Sequence, residues 1–252
     1  MPRAGEPTIA FSRLLEMAAQ ADRQGRCRYT PFLTPPEAEL ALAAGKRAGV
    51  DVTLFGGTEE AERRMARFRP LDCEPEPFPL ATLEITWPHQ NAPVHRDLLG
   101  ALMALGVARA RTGDIVLAAD RAYLFTESAL AATIAPGLTE AGRVRLTVRE
   151  VDAPQAAALP TGEEIRCTVQ SPRLDALVAD GFHLSRGNAA ELIEAGAVKL
   201  RYAQTLRPDA RVEEGDAISV RGYGRLRVES FGETTRKGRT PVRMTRFGPP
   251  RG

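Results

Sequence analysis

Residues 171–222 read SPRLDALVADGFHLSRGNAAELIEAGAVKLRYAQTLRPDARVEEGDAISVRG, and this stretch decides how the C-terminal part of the chain folds. Leu174, Leu177 and Val178 fall on one face of a short helix that Gly181 is placed to end. Ser185 stands where an N-cap belongs, ahead of a second helix with Ala189, Leu192 and Ile193 as its apolar face and Gly196 as its stop. AVKLRY (197–202) follows as a strand, and Gly215-Asp216 makes the turn before the alternating strand AISVRG. The chemistry gathers at Ser185-Arg186-Gly187-Asn188. A helix N-terminus offers backbone N–H groups that lack acceptors, together with the positive end of the dipole. Arg186 adds a forked cation and Gly187 lets the backbone come close, so the four residues read as a phosphate grip. Arg173 opens the preceding helix on the same side, and Lys199 and Arg201, two apart, are expected to leave one face of the strand. Singly, each is ordinarily a solvated charge; their grouping around one helix end favours RNA.

Downstream, GYGRLRVESFGETTRKGRTPVRMTRF (222–247) alternates enough for one or two further strands, with Arg236, Lys237 and Arg239 in a loop expected to track RNA backbone. The whole chain of 252 residues carries a net charge of +2, but from residue 171 onward 15 Lys and Arg face 10 Asp and Glu. Basicity therefore concentrates at the C-terminal end.

Upstream, DAPQAAALPTGEE (152–164) reads as a linker. Before it, LATLEITW, PVHRDLLGALMALGV, DIVLAA, AYLFTE, SALAATIAP and RVRLTVREV give the order βαββαβ, a ferredoxin-like domain over 80–151. Tyr123 and Phe125 share one face of their strand and are the candidates for base stacking. Without an RNP-like aromatic consensus, core packing or ordinary surface exposure is the favoured role for both. The acidic, proline-rich RPLDCEPEPFP (69–79) marks another boundary. Ahead of it, a small α/β domain over 1–69 is expected: a helix in TIAFSRLLEMAAQA, a second from Pro35-Pro36, the strand VDVTLF, a turn at Gly56-Gly57, and a Thr58-capped helix in EEAERRMARF.

The stretch RLDALVADGFHLSRGNAAELIEAGAVKL resembles the S-four-type RNA-binding domain, through Arg173 to Asp175, Ser185-Arg186, Ile193 to Val198 and Gly215-Asp216. Over nearly the whole chain, FLTPPEAELA (32–41), FGGTEEAERR (55–64) and HRDLLGALMALGV (95–107) followed by GDI resemble the YlmH-type bacterial proteins. Many members have Asn where this chain has Arg201. The resemblance implies an S-four-type domain over 171–247, binding of ribosomal RNA and tRNA on the large ribosomal subunit in ribosome-associated quality control, contact with quality-control proteins, and support for C-terminal tailing of stalled peptides.

Three scattered cysteines (Cys27, Cys73, Cys167) suit a reducing compartment, and the chain has no apolar run of membrane-spanning length. A cytoplasmic protein with no cofactor, metal or membrane partner is expected. A metal site at His89 and His95 is the weaker reading against satisfied histidines. No glycine-rich nucleotide loop and no nucleophile–base constellation stands out, so a non-enzymatic RNA binder is favoured. The alternatives are an RNA-modifying enzyme of pseudouridine-synthase type, for which too little chain follows the module, and a cell-division-linked RNA-binding adaptor. Asp175 reads as a structural partner for a nearby arginine or as a helix-start charge.

Overall fold

The computed structural model describes residues 9–88, 92–118, 120–152, 162–235 and 238–247, and the chain divides into two compact units, Met1–Pro160 and Thr161–Gly252. It mixes helix and sheet in both.

The first unit begins with α1 (Phe11–Gln24), β1 (Arg28–Tyr29), α2 (Pro35–Ala48), β2 (Asp51–Phe55) and β3 (Met65–Arg69). Prolines open α2, where they lack no needed N–H, and Glu37 accepts the backbone N–H of Thr34 at 2.7 Å, closing the first turn. Gly25 and Gly49 end the two helices in left-handed backbone. The helix expected in 59–68 is absent. After turns at 56–64 the chain extends, and β3 lies between β1 and β2 in a three-stranded sheet. Met65, Ala66 and Phe68 are buried there, so pairing on both sides overrides the helical propensity of EEAERRMA.

The same unit continues with β4 (Leu80–Thr86), α3 (His95–Ala104), β5 (Thr112–Leu117), β6 (Arg121–Glu127), α4 (Ser128–Gly137), a two-residue hairpin β7 (Glu140–Ala141) and β8 (Val144–Arg145), and β9 (Thr147–Val151). The strands pair antiparallel in the order β5-β6-β4-β9. On one face Leu83, Ile85, Ala122 and Leu124 pack with Leu98, Leu102 and Ile134 of the helices. The other face is closed by the N-terminal segment: Tyr123 (5% exposed) and Phe125 (0%) pack with Phe32 and Met65. Buried Arg63 fastens the join, donating to the carbonyls of Phe32, Arg109 and Thr112 at 3.2–3.4 Å. Asp114 receives the backbone N–H groups of Glu62 (2.6 Å) and Arg63 (3.3 Å). The expected turn glycine Gly57 has φ +98° and lies against the Phe125 ring, where a Cβ would come within 2.1 Å of Cδ1. It therefore answers both a backbone and a space requirement. The segments expected as domains 1–69 and 80–151 thus share a buried join inside one compact unit.

The second unit holds β10 (Glu163–Val169), α5 (Leu174–Phe182), α6 (Arg186–Glu194), β11 (Val198–Leu200), β12 (Ala203–Gln204), β13 (Ala217–Val220), β14 (Gly224–Phe231) and β15 (Thr240–Phe247). Its six strands run β10-β15-β14-β13-β11-β12, and both helices pack on one face over Ile165, Val198, Ile218, Leu226, Val228 and Met244. Where one or two strands are expected in the tail the structure has two, and β10 is an addition: the stretch read as linker and module boundary supplies a strand paired along seven residues with β15. Helix α5 does not stop at Gly181 but one residue later, where His183 takes a left-handed backbone (φ 54°); Gly181 is inside the helix against Leu226.

Candidate nucleic-acid interface

Ser185 caps α6, its Oγ accepting the backbone N–H of Asn188 at 3.1 Å. The N–H groups of Arg186 and Gly187, ahead of the capped one, have no acceptor within the helix. Arg186 is the first residue of α6, and its guanidinium reaches back to α5. Its Nη2 lies 3.0 and 2.9 Å from the two carboxylate oxygens of Asp175. Arg173, at the N-cap of α5, donates to the same carboxylate from Nε (3.1 Å) and Nη2 (3.0 Å). One buried carboxylate therefore holds two arginines, the structural role expected of Asp175, while the arginine side chains stay 41% and 59% exposed. Burial pushes the Asp175 carboxyl up, but the hydrogen bonds from Arg173 and Arg186 outweigh it and hold the group below the usual carboxylate range.

Gly187 is exposed, and a Cβ there would meet nothing closer than Ser185 Oγ at 3.9 Å. The fold itself does not demand a glycine at this position.

A loop that the sequence pattern did not single out extends this cluster. Residues 208–212 lie across the start of α5: Leu174 and Asp175 donate their backbone N–H groups to Ala210 and Pro208, and Arg173 bridges Arg211 as an isolated antiparallel pair. Arg201 then donates to the Arg211 carbonyl at 3.3 Å and forks onto buried Asp216, Nε to Oδ1 at 2.6 Å and Nη2 to Oδ2 at 2.9 Å. In space, Arg186, Arg173 and Arg201 form one linked strip, joined through the Arg211 backbone and stapled by Asp175 and Asp216. The missed signal was the pair of arginines in TLRPDARVEEGD, ahead of the Gly215-Asp216 turn.

Two expected placements change. Strand β11 ends at Leu200, and Arg201 and Tyr202 adopt left-handed backbone (φ 51° and 66°), so Arg201 leaves from a turn rather than from a strand face beside Lys199. Lys199 is exposed between Val198 and Leu200, which pack under the helices, so it projects from the opposite face of the sheet. Arg239 donates to the Thr168 carbonyl at 2.7 Å, at the β10 edge. Arg236, Lys237 and His89 lie outside the described residues. Among the described residues, no three His, Cys, Asp or Glu side chains gather in a way that would hold a metal ion, and no helix is long and apolar enough to cross a membrane.

Two family models match. Residues 8–69 match "YlmH, N-terminal" and residues 73–155 match "Putative RNA-binding domain in YlmH". The "Ribosome-associated protein quality control protein P2" of Bacillus subtilis (strain 168) is 33% identical over 240 residues, covering 94% of this chain and 93% of that protein. A solved structure, "Cell division protein ylmH from Streptococcus pneumoniae", is 21% identical with a TM-score of 0.48, covering 60% of this chain and 96% of that one.

Proposed function

The chain belongs to the YlmH family, and from that membership we propose that it is a non-enzymatic, cytoplasmic RNA-binding protein of ribosome-associated quality control, gripping ribosomal RNA and tRNA on the large subunit. The observation that carries this reading is the strip Arg186, Arg173 and Arg201, linked through the Arg211 backbone. Two buried carboxylates hold the guanidiniums of Arg173, Arg186 and Arg201 in fixed directions while leaving them half exposed, an arrangement suited to phosphates because little side-chain freedom remains to be lost on binding. Residues 171–247 are read as an S-four-type domain, with Ser185, Arg186, Gly187 and Asn188 at the grip and Arg173 and Arg201 beside it. Lys199, Arg236, Lys237 and Arg239 are read as further backbone contacts. The sheet order β5-β6-β4-β9 with two helices on one face supports a ferredoxin-like reading of residues 80–151. The curated relative's name supplies the ribosomal quality-control setting. Catalysis by a thiol is disfavoured at Cys167, where burial and then Asp180 push the pKa up to about 12.

The test is binding to purified large ribosomal subunits carrying tRNA, compared between the natural chain and Arg173→Ala/Arg186→Ala. Each lost charge-assisted contact should weaken binding by about 1.5–3 kcal/mol with the fold intact. Undiminished affinity in the double variant would remove the phosphate grip from the reading.

A further inference from the structure

The face of the six-stranded sheet turned away from α5 and α6 carries a row of side chains fixed by strand register. Gln204 on β12 opposes Lys199 on β11, Lys199 opposes Ser219 on β13, Ser219 opposes Arg225 on β14, and Arg225 opposes Phe247 on β15. Lys199 and Arg225 alternate with residues of the helix-covered core, namely Val198, Leu200 and Leu226, and Phe247 stands opposite Arg225 in the ladder. Their side chains therefore share this opposite face. The guanidinium carbons of Arg225 and Arg227 lie 4.9 and 5.9 Å from the Phe247 ring centroid, in cation–π range. Gly162 makes room for that ring: a Cβ there would come 2.8 Å from Phe247 Cε1 and 2.2 Å from Thr245 Cγ2. Further along the same face Arg166 and Arg243 line a shallow depression with Thr168, Ser230 and Pro241. On this face Glu164 pairs with Arg166 and Glu229 with Arg227.

We infer that this sheet face is a second RNA-binding platform, which takes a single-stranded segment with its phosphates along Lys199, Arg225 and Arg227 and a base against Phe247. The inference rests on the RNA-binding reading above and adds a surface separate from the arginine strip. A positive face attracts phosphates of any RNA, but an aromatic ring needs an unstacked base, which a duplex does not offer. From Lys199 to Phe247 the row crosses three strand-to-strand steps, about 14 Å. Four-stranded RNA-binding sheets stack about two or three bases across a comparable width.

The experiment uses the full chain and a fluorescein-labelled twelve-residue oligouridylate, with large subunits as a parallel ligand. Lys199→Glu/Arg225→Glu should weaken oligouridylate binding by about tenfold or more and lower its log-affinity against log-salt slope by about 0.7 for each lost phosphate contact. Arg173→Ala/Arg186→Ala should weaken oligouridylate binding less than Lys199→Glu/Arg225→Glu does while weakening large-subunit binding more. Phe247→Trp, with an unchanged far-UV spectrum, should show tryptophan quenching on addition of unlabelled oligouridylate, because the native Trp87 is buried in the other unit. If Lys199→Glu/Arg225→Glu binds oligouridylate like the natural chain while Arg173→Ala/Arg186→Ala loses large subunits, the platform is overturned and the RNA-binding reading stands. If the natural chain binds neither RNA, both fall. Retained binding without quenching in the Phe247→Trp variant overturns the base contact.

Discussion

The two larger antiparallel sheets in this chain carry helices on one face, and they treat the other face in opposite ways. In the sheet β5-β6-β4-β9 that face holds Tyr123 and Phe125, and the N-terminal segment covers it with Phe32 and Met65. In the sheet of the second unit the corresponding face holds Lys199, Arg225, Arg227, Arg243 and Phe247, while α5 and α6 of that unit pack on the opposite face. Paired aromatics on a strand therefore do not make a base-stacking surface, because an apolar face attracts whichever apolar segment of the chain can reach it. A face of arginines around one ring resists that fate, since covering it would strip water from several charges. Each unit also clamps one buried carboxylate between two arginines. Glu84 receives Arg121 at 2.9 Å and Arg149 at 2.7 Å, while Asp175 receives Arg173 and Arg186. The partners of Asp175 come from two helix starts; those of Glu84 come from neighbouring strands.

The largest effect should come from Phe125→Ala, which empties the covered face. A loss of about 3–5 kcal/mol in urea unfolding is expected, with RNA affinity unchanged wherever the protein remains folded. A variant that keeps its stability and loses RNA would break the contrast between the sheets.

Next is Asp175→Asn, expected to cost about 1–2 kcal/mol. This is below the ~3–5 kcal/mol for breaking a fully buried pair, because Arg173 and Arg186 can rehydrate. The substitution also raises the net positive charge by one. A surface acting through charge alone would bind RNA more tightly, whereas a pre-organised grip should bind about threefold to tenfold more weakly in a filter assay. The pH dependence has a definite sign. Asp175 and Glu84 both have pKa values lowered in the fold: burial pushes each up, and the arginine hydrogen bonds outweigh it. Their contribution is present above the ordinary carboxylate pKa and is lost as pH falls through the lowered folded value. Acid titration of stability should therefore flatten in Asp175→Asn and, separately, in Glu84→Gln.

A smaller loss, about 1 kcal/mol by thermal unfolding, is expected for Ser185→Ala, which removes the acceptor for Asn188. The smallest stability change should be that of Gly187→Ala, within about 0.5 kcal/mol, because the added Cβ enters open space. If RNA backbone approaches there, affinity for large subunits should nonetheless fall; equal affinity would move the contact away from Gly187.

What the sequence determined by itself is what a few neighbouring residues settle. Pro35-Pro36 and Glu37 start α2, Ser185 caps α6 through Asn188, Gly196 stops it at φ +70°, and the alternation in AISV and MTRF marks strands with two faces. Each depends on contacts within about four residues, so local periodicity and capping reveal it. The arginines of the candidate grip were legible for the same reason, as residues flanking helix starts. Only the tertiary structure decided that 65–69 extends as β3 where a helix over 59–68 is expected, since that outcome rests on β1 and β2 pairing along both edges of β3. It alone joined Arg173 to Arg211 and Arg201 to Asp216, and it alone parted Lys199 from Arg201, by ending β11 in left-handed backbone. Period-two alternation says that a strand has two sides; which side is covered is set by segments tens of residues away, whose approach no local pattern records.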